Sequence, residues 1–157
     1  MKFLVTKDLS HSRLLAYLIG AVIFAIILYL VMDVVLHSYV IGLDLPTIHT
    51  TLAGNAETFE EPILIDSLLL QVHIDLFMTL FALLILSSVY IRLHEKTSAM
   101  KVLLHTLFLL GLFTPLFLLV AYLWSPLFSY VWLGAFIVWH VMAVLLALIT
   151  FKRLNFR

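Results

Sequence analysis

Leu14 to Gly42 reads LLAYLIGAVIFAIILYLVMDVVLHSYVIG, and this stretch decides the fold. A helix crosses the ~30 Å hydrocarbon core of a bilayer with about 20 mostly apolar residues. The run from Leu14 meets that length and is broken by Asp33 and His37, which stand four residues apart near its far end. Three further runs qualify, over about 62–93, 101–124 and 126–151. The last two are joined by WSPLFSY, a tight turn with aromatics suited to a membrane surface. Pro62 and Pro126 suit first-turn helix positions, where a missing N–H removes no bond.

Composition agrees. The chain is 64% hydrophobic and 11% charged, against about 25% charged residues in a soluble domain. Its 157 residues fit one transmembrane domain, 1–157, with an outer loop at 43–61 and an inner loop at 94–100. The absence of cysteine excludes disulfides and thiolate metal sites. A formal net charge of zero argues against a nucleic-acid partner. The segment MKFLVTKDLSHSR lacks the features of a cleavable signal, since the apolar run after it is too long and has no small-residue cleavage site.

Charge placement sets the orientation. Lys2, Lys7 and Arg13 precede the first run; Arg92, Lys96 and Lys101 lie between the second and third; Lys152, Arg153 and Arg157 follow the fourth. Every basic residue is therefore on one side, while Asp44, Glu57, Glu60, Glu61 and Asp66 crowd the other. The positive-inside rule places both termini in the cytoplasm and the acidic loop outside, in the cytoplasmic (inner) membrane. The expected fold class is an all-α integral membrane protein, a four-transmembrane up-down-up-down helix bundle. The stretch His49–Glu61 reads as an irregular connector, or as a flap or docking surface.

Ionisable groups inside a membrane are costly, so each is a candidate for function. Asp33, His73, His140 and Thr114 (beside the helix-breaking Pro115) come one from each run. At ~1.5 Å per residue they fall within roughly 8 Å of one another in height. His37 stands one turn from Asp33 on the same face. A layer of Asp33, His37, His73 and His140 suits a transition metal (copper, iron or zinc), for which imidazole and carboxylate are normal ligands. Asp33 is either a ligand or the acceptor that orients His37. The bland alternative is a set of interhelical hydrogen bonds, each worth about 0.6 kcal/mol in a membrane.

Asp75 poses a separate question. It is two residues from His73 and so on nearly the opposite helix face, in a stripe with Gln71 and Thr79. That face is expected to meet another subunit or a second copy of the chain, or else an adjacent helix of the same bundle. His11, His94 and His105 fall near the basic surface and read as interfacial, whereas His49 lies in the outer loop and has the reach to fold back over the layer.

The stretch DVVLHSYVIGLDLPTIH resembles the copper-site segment in the C subunit of copper-dependent membrane monooxygenases, which has Asp, then His four residues on, then a second His after a proline. The resemblance is confined to residues 33–49 and implies Asp33, His37 and either His49 or His73 as ligands. The Asn-x-x-x-His pair of that family's other site and its longer flanks are absent here, so the likeness reaches only to a ligand geometry at a helix end.

Four functions compete. The first is a metal-binding subunit of a larger membrane complex. The second is a haem b subunit with His73 and His140 as axial ligands, passing electrons to or from quinone. A proton or ion relay is third, opposed by the near-absence of titratable groups in the half of the bundle nearest the termini. The fourth is a structural subunit without cofactor. Among these, no sequence motif identifies an enzyme.

Overall fold

In the computed structural model, residues 13–94 and 97–155 are described. Lys2, Lys7, His11, Lys96 and Arg157 lie outside the described residues. Five helices follow in order: α1 (Arg13–Val40), α2 (Leu45–Ala53), α3 (Ile65–Leu93), α4 (Ser98–Leu123) and α5 (Phe128–Asn155). Four of them, α1, α3, α4 and α5, are long and apolar enough to cross a membrane. They run up and down in turn, so Arg92, Lys101, Lys152 and Arg153 share the end of the bundle with the start of α1, and the acidic loop lies at the other.

Each spanning helix buries one seam and exposes the rest. On α1 the seam is Ile23, Ile26, Leu30, Asp33 and His37, the alternating three- and four-residue steps of one helix face. The exposed remainder is apolar, including Leu28, Val31, Met32 and Leu36, as a surface that meets lipid requires. The α5 helix is central: α1 and α4 pack closely on it, α3 packs on α4 and more loosely on α5, and the backbones of α1 and α3 hardly approach one another.

The core divides into two apolar clusters. One, nearer the termini, joins Ile23, Ile26 and Leu30 to Leu83, Leu86, Leu107, Trp139 and Leu146. The other, nearer the acidic loop, joins Ile41, Ile48 and Leu52 to Leu68, Val72, Leu118, Trp132 and Phe136. Between them lies a layer of buried polar side chains.

The loop contains a helix that the sequence reading did not expect. Asp44 caps α2 by accepting from the Thr47 N–H at 3.0 Å, a bond that holds the Asp44 carboxyl below its ordinary range. Pro46 sits in the first turn, where its missing N–H is harmless. Ile48 and Leu52 are buried against α4 and α5, so α2 lies across the end of the bundle as a cover. Gly42 makes the turn into it with φ +95; a Cβ there would meet Thr47 Cγ2 at 2.5 Å. After α2 the stretch 54–64 is irregular, pinned by reciprocal bonds between the Asn55 and Glu60 backbones. Pro62 and Pro126 lie before α3 and α5 rather than in their first turns.

Candidate functional site

The polar layer is built from all four spanning helices. Asp33 and His37 come from α1, Gln71, Asp75 and Thr79 from α3, Thr114 from α4 and His140 from α5; all are buried. His37 Nδ1 donates to the Asp33 backbone carbonyl at 2.9 Å, and its Nε2 faces Asp75 Oδ2 at 3.0 Å. His140 repeats the arrangement: Nδ1 donates to the Phe136 carbonyl at 2.9 Å, and Nε2 faces Asp33 Oδ2 at 3.0 Å. Gln71 Nε2 donates to Asp75 Oδ1 at 2.7 Å.

These contacts fix where protons sit. A backbone carbonyl only accepts, so Nδ1 of both imidazoles carries hydrogen. Each Nε2 then meets a carboxylate oxygen across one further proton, whichever partner holds it more tightly. The His37–Asp75 and His140–Asp33 pairs therefore carry two shared protons and no net charge. That neutrality suits a membrane interior, where an uncompensated charge is expensive.

Asp33, His37 and Asp75 each offer one donor atom, and the three atoms lie within 4.8 Å of one another. Ligands of a tetrahedral ion with ~2.0 Å bonds stand roughly 3.3 Å apart, so the three atoms are near ligand spacing without being at it. The trio borders a cavity of about 10 Å³, walled also by Thr79, Gly111, Thr114, Trp139 and His140. That volume holds about one water-sized body. Phe136 packs at a tilt against both imidazoles, with centroids 4.7 Å from His37 and 4.1 Å from His140.

The structure thus brings together Asp33, His37 and His140 of the expected layer, with Thr114 in the wall of the cavity. It does not bring in His73, which is exposed on the opposite face of α3 among the exposed Leu69, Leu70, Ile74 and Phe77. Asp75 takes its place. The correction has a simple cause: a two-residue step rotates a side chain about 200° around a helix, and the face with three polar groups turned inward. Of the two expectations for the Asp75 face, another chain or an adjacent helix of the same bundle, the structure has the second: Asp75 bonds His37 on α1 and Gln71 on its own helix. Of the pair read as axial haem ligands, His140 lies in the buried layer and His73 on the outer face of α3.

His49 lies on α2, edge-on to Tyr130 at 6.2 Å, and does not reach the layer's hydrogen bonds. At the other end, His94 follows α3 and stacks on Tyr90 at 4.0 Å, and His105 is exposed.

Residues 42–157 match the model of a family described as a transmembrane helical domain, Aq_1264_TM. The match leaves out all of α1, and with it Asp33 and His37. No curated protein and no solved structure matches the chain.

Proposed function

Since the chain belongs to that family of transmembrane helical domains, we propose that it is a small membrane subunit whose buried carboxylate–imidazole layer binds one transition-metal ion. Asp33, His37 through Nε2, and Asp75 are the ligands. His140 holds Asp33 from behind, and Gln71 holds Asp75. The ion is copper, iron or zinc, the metals suited to mixed nitrogen and oxygen donors.

The observation that supports this best is the orientation of His37. Its Nδ1–H is tied to a carbonyl, leaving Nε2 to face the Asp75 carboxylate at 3.0 Å, with the Asp33 carboxylate 3.5 Å from Nδ1; one ring nitrogen fixed by a carbonyl is how metal-binding histidines are held. Two carboxylates also cancel the charge of a divalent ion, which makes the binding compatible with burial in a membrane. The ion displaces the proton shared by His37 and Asp75, because Nε2 needs its lone pair for the bond. On this reading the site faces the outer half of the membrane, and the subunit works within a larger complex of the cytoplasmic membrane.

The test is metal titration of the detergent-purified full chain. About one equivalent of copper, iron or zinc should bind, with release of at least one proton per ion. Binding should tighten about tenfold or more per pH unit wherever that proton is held. Absence of any stoichiometric metal would sink the reading.

A second reading has an observation of its own. Both nitrogens of His37 and of His140 already have partners within the chain. The layer then serves as a polar staple that fixes helix register in a structural subunit. Full stability with no metal uptake would favour it.

A further inference from the structure

Trp139 is buried on α5, and its indole Nε1 has no hydrogen-bond partner. An orphaned buried N–H costs free energy that folding has to recover elsewhere. Its ring belongs to the apolar cluster nearer the termini, and the residue also lines the cavity beside the polar layer. A Cβ built on Gly111 would lie 2.5 Å from the indole nitrogen, with Thr79 Cγ2 at 2.7 Å and Leu83 Cδ1 at 2.8 Å from the same point. Gly111 and Thr79 both belong to the wall of the 10 Å³ cavity that borders the Asp33–His37–Asp75 trio. Trp139 itself lines that cavity, and the missing side chain at residue 111 is what lets its indole nitrogen close on α4 there.

A backbone feature belongs to the same wall. Pro115, also in the cavity wall, lies inside α4 and has no N–H to give to the Gly111 carbonyl four residues back. The wall thus has an unpartnered donor, Trp139 Nε1–H, and a carbonyl released from the helix ladder.

We infer that the cavity is the position of a fourth, exchangeable ligand on the metal: a small anion, hydroxide in water, held by a hydrogen bond from Trp139. The inference rests on the metal reading above and says what kind of site it is. Three protein ligands with one open position characterise sites that exchange ligands, whereas structural sites are closed by four. Charge points to an anion. A divalent ion less two carboxylates is neutral, and the proton retained between His140 and Asp33 leaves one positive charge in a membrane interior. One hydroxide cancels it and also offers an O–H to the freed Gly111 carbonyl. The small volume restricts the ligand to about one heavy atom, so fluoride fits and imidazole does not.

The test uses the full chain in detergent, loaded with Cu2+. Copper content is measured first, then electron paramagnetic resonance spectra are compared in ordinary and 17O-enriched water. Broadening by 17O is expected, and titrated fluoride should replace that broadening with 19F splitting. Trp139→Phe should keep copper affinity within about twofold and weaken fluoride binding about tenfold or more, as loss of one hydrogen bond to a charged group implies. Full copper loading without broadening or fluoride splitting in the unmodified chain would overturn the open position while leaving the metal site intact. Equal fluoride affinity in Trp139→Phe would overturn the role of the indole. No copper uptake at all would defeat the metal reading, and this inference with it. If Trp139→Phe fails to fold, the spectra of the unmodified chain still decide.

Discussion

Asp75 and His73 are two residues apart on α3 and have opposite surroundings. Asp75 is 7% exposed and accepts from Gln71 while sharing a proton with His37. His73 stands on the surface that the bundle presents to lipid, between leucines and a phenylalanine. Both side chains can bind a metal, and both lie at nearly the same depth. What separates them is the company each keeps along the helix. Gln71, Asp75 and Thr79 recur at four-residue steps and are all buried, so three polar groups desert lipid together. His73 has apolar neighbours at 69, 70, 74 and 77, and turning it inward would have turned the other three outward. In a membrane the face with the larger polar burden is the one that gets buried.

The sharpest test of this contrast is Asp75→Ala. It removes a proposed ligand and leaves His37 Nε2 without its partner. We expect metal affinity to fall about 100-fold or more. The metal-free protein should also lose about 1–3 kcal/mol, the usual penalty for an orphaned buried polar group, read by denaturant titration in detergent. Asp75→Asn should retain most of the stability and lose most of the metal. If Asp75→Ala binds metal as well as the parent, the inner face of α3 is not the binding face.

His140→Ala comes next. It frees Asp33 Oδ2 from its 3.0 Å contact without removing a ligand of the proposed trio. Loss of a group that orients a ligand typically weakens metal binding by 10–100-fold. A loss as large as that of Asp75→Ala would promote His140 to a ligand in its own right, consistent with the expectation drawn from sequence. Gln71→Leu should have a smaller effect, about tenfold, since Asp75 would keep its bond to His37 and lose only the one at 2.7 Å. A calorimetric titration of the three variants beside the parent gives the order directly.

The four spans were legible in the sequence because a long apolar run has few other readings. The depth match of Asp33, His37, Thr114 and His140 was legible too, since rise per residue is fixed and the antiparallel order follows from the charges. Rotation of each helix about its axis was not fixed in the same way. For α1 and α5 it made no difference, because their polar groups share one face. For α3, with candidates on two faces, it decided the answer, and the stripe of Gln71, Asp75 and Thr79 was the signal that outweighed His73. The α2 helix was hidden for a different reason. It is too short for a clear period, and only the Asp44 cap and Pro46 two residues later marked its start. Trp139 carried no signal at all, since its close approach to α4 depends on a glycine from another helix.

The smallest expected effect is the most discriminating one. His73→Leu should change metal affinity by less than about twofold and leave stability the same or slightly higher. The reason is solvation. An exposed imidazole at this depth meets hydrocarbon, where a polar group without a partner is disfavoured, and leucine matches its neighbours at 69 and 70. By contrast, the layered site proposed from the sequence, with His73 as a ligand, requires this variant to lose nearly all bound metal. The two arrangements therefore differ by about two orders of magnitude for one substitution, far beyond the scatter of a binding titration. If His73→Leu did strip the metal, the exposed face of α3 would have to reach a site formed with a second chain. The loss would then depend on protein concentration, because dilution separates chains and leaves a site within one bundle untouched.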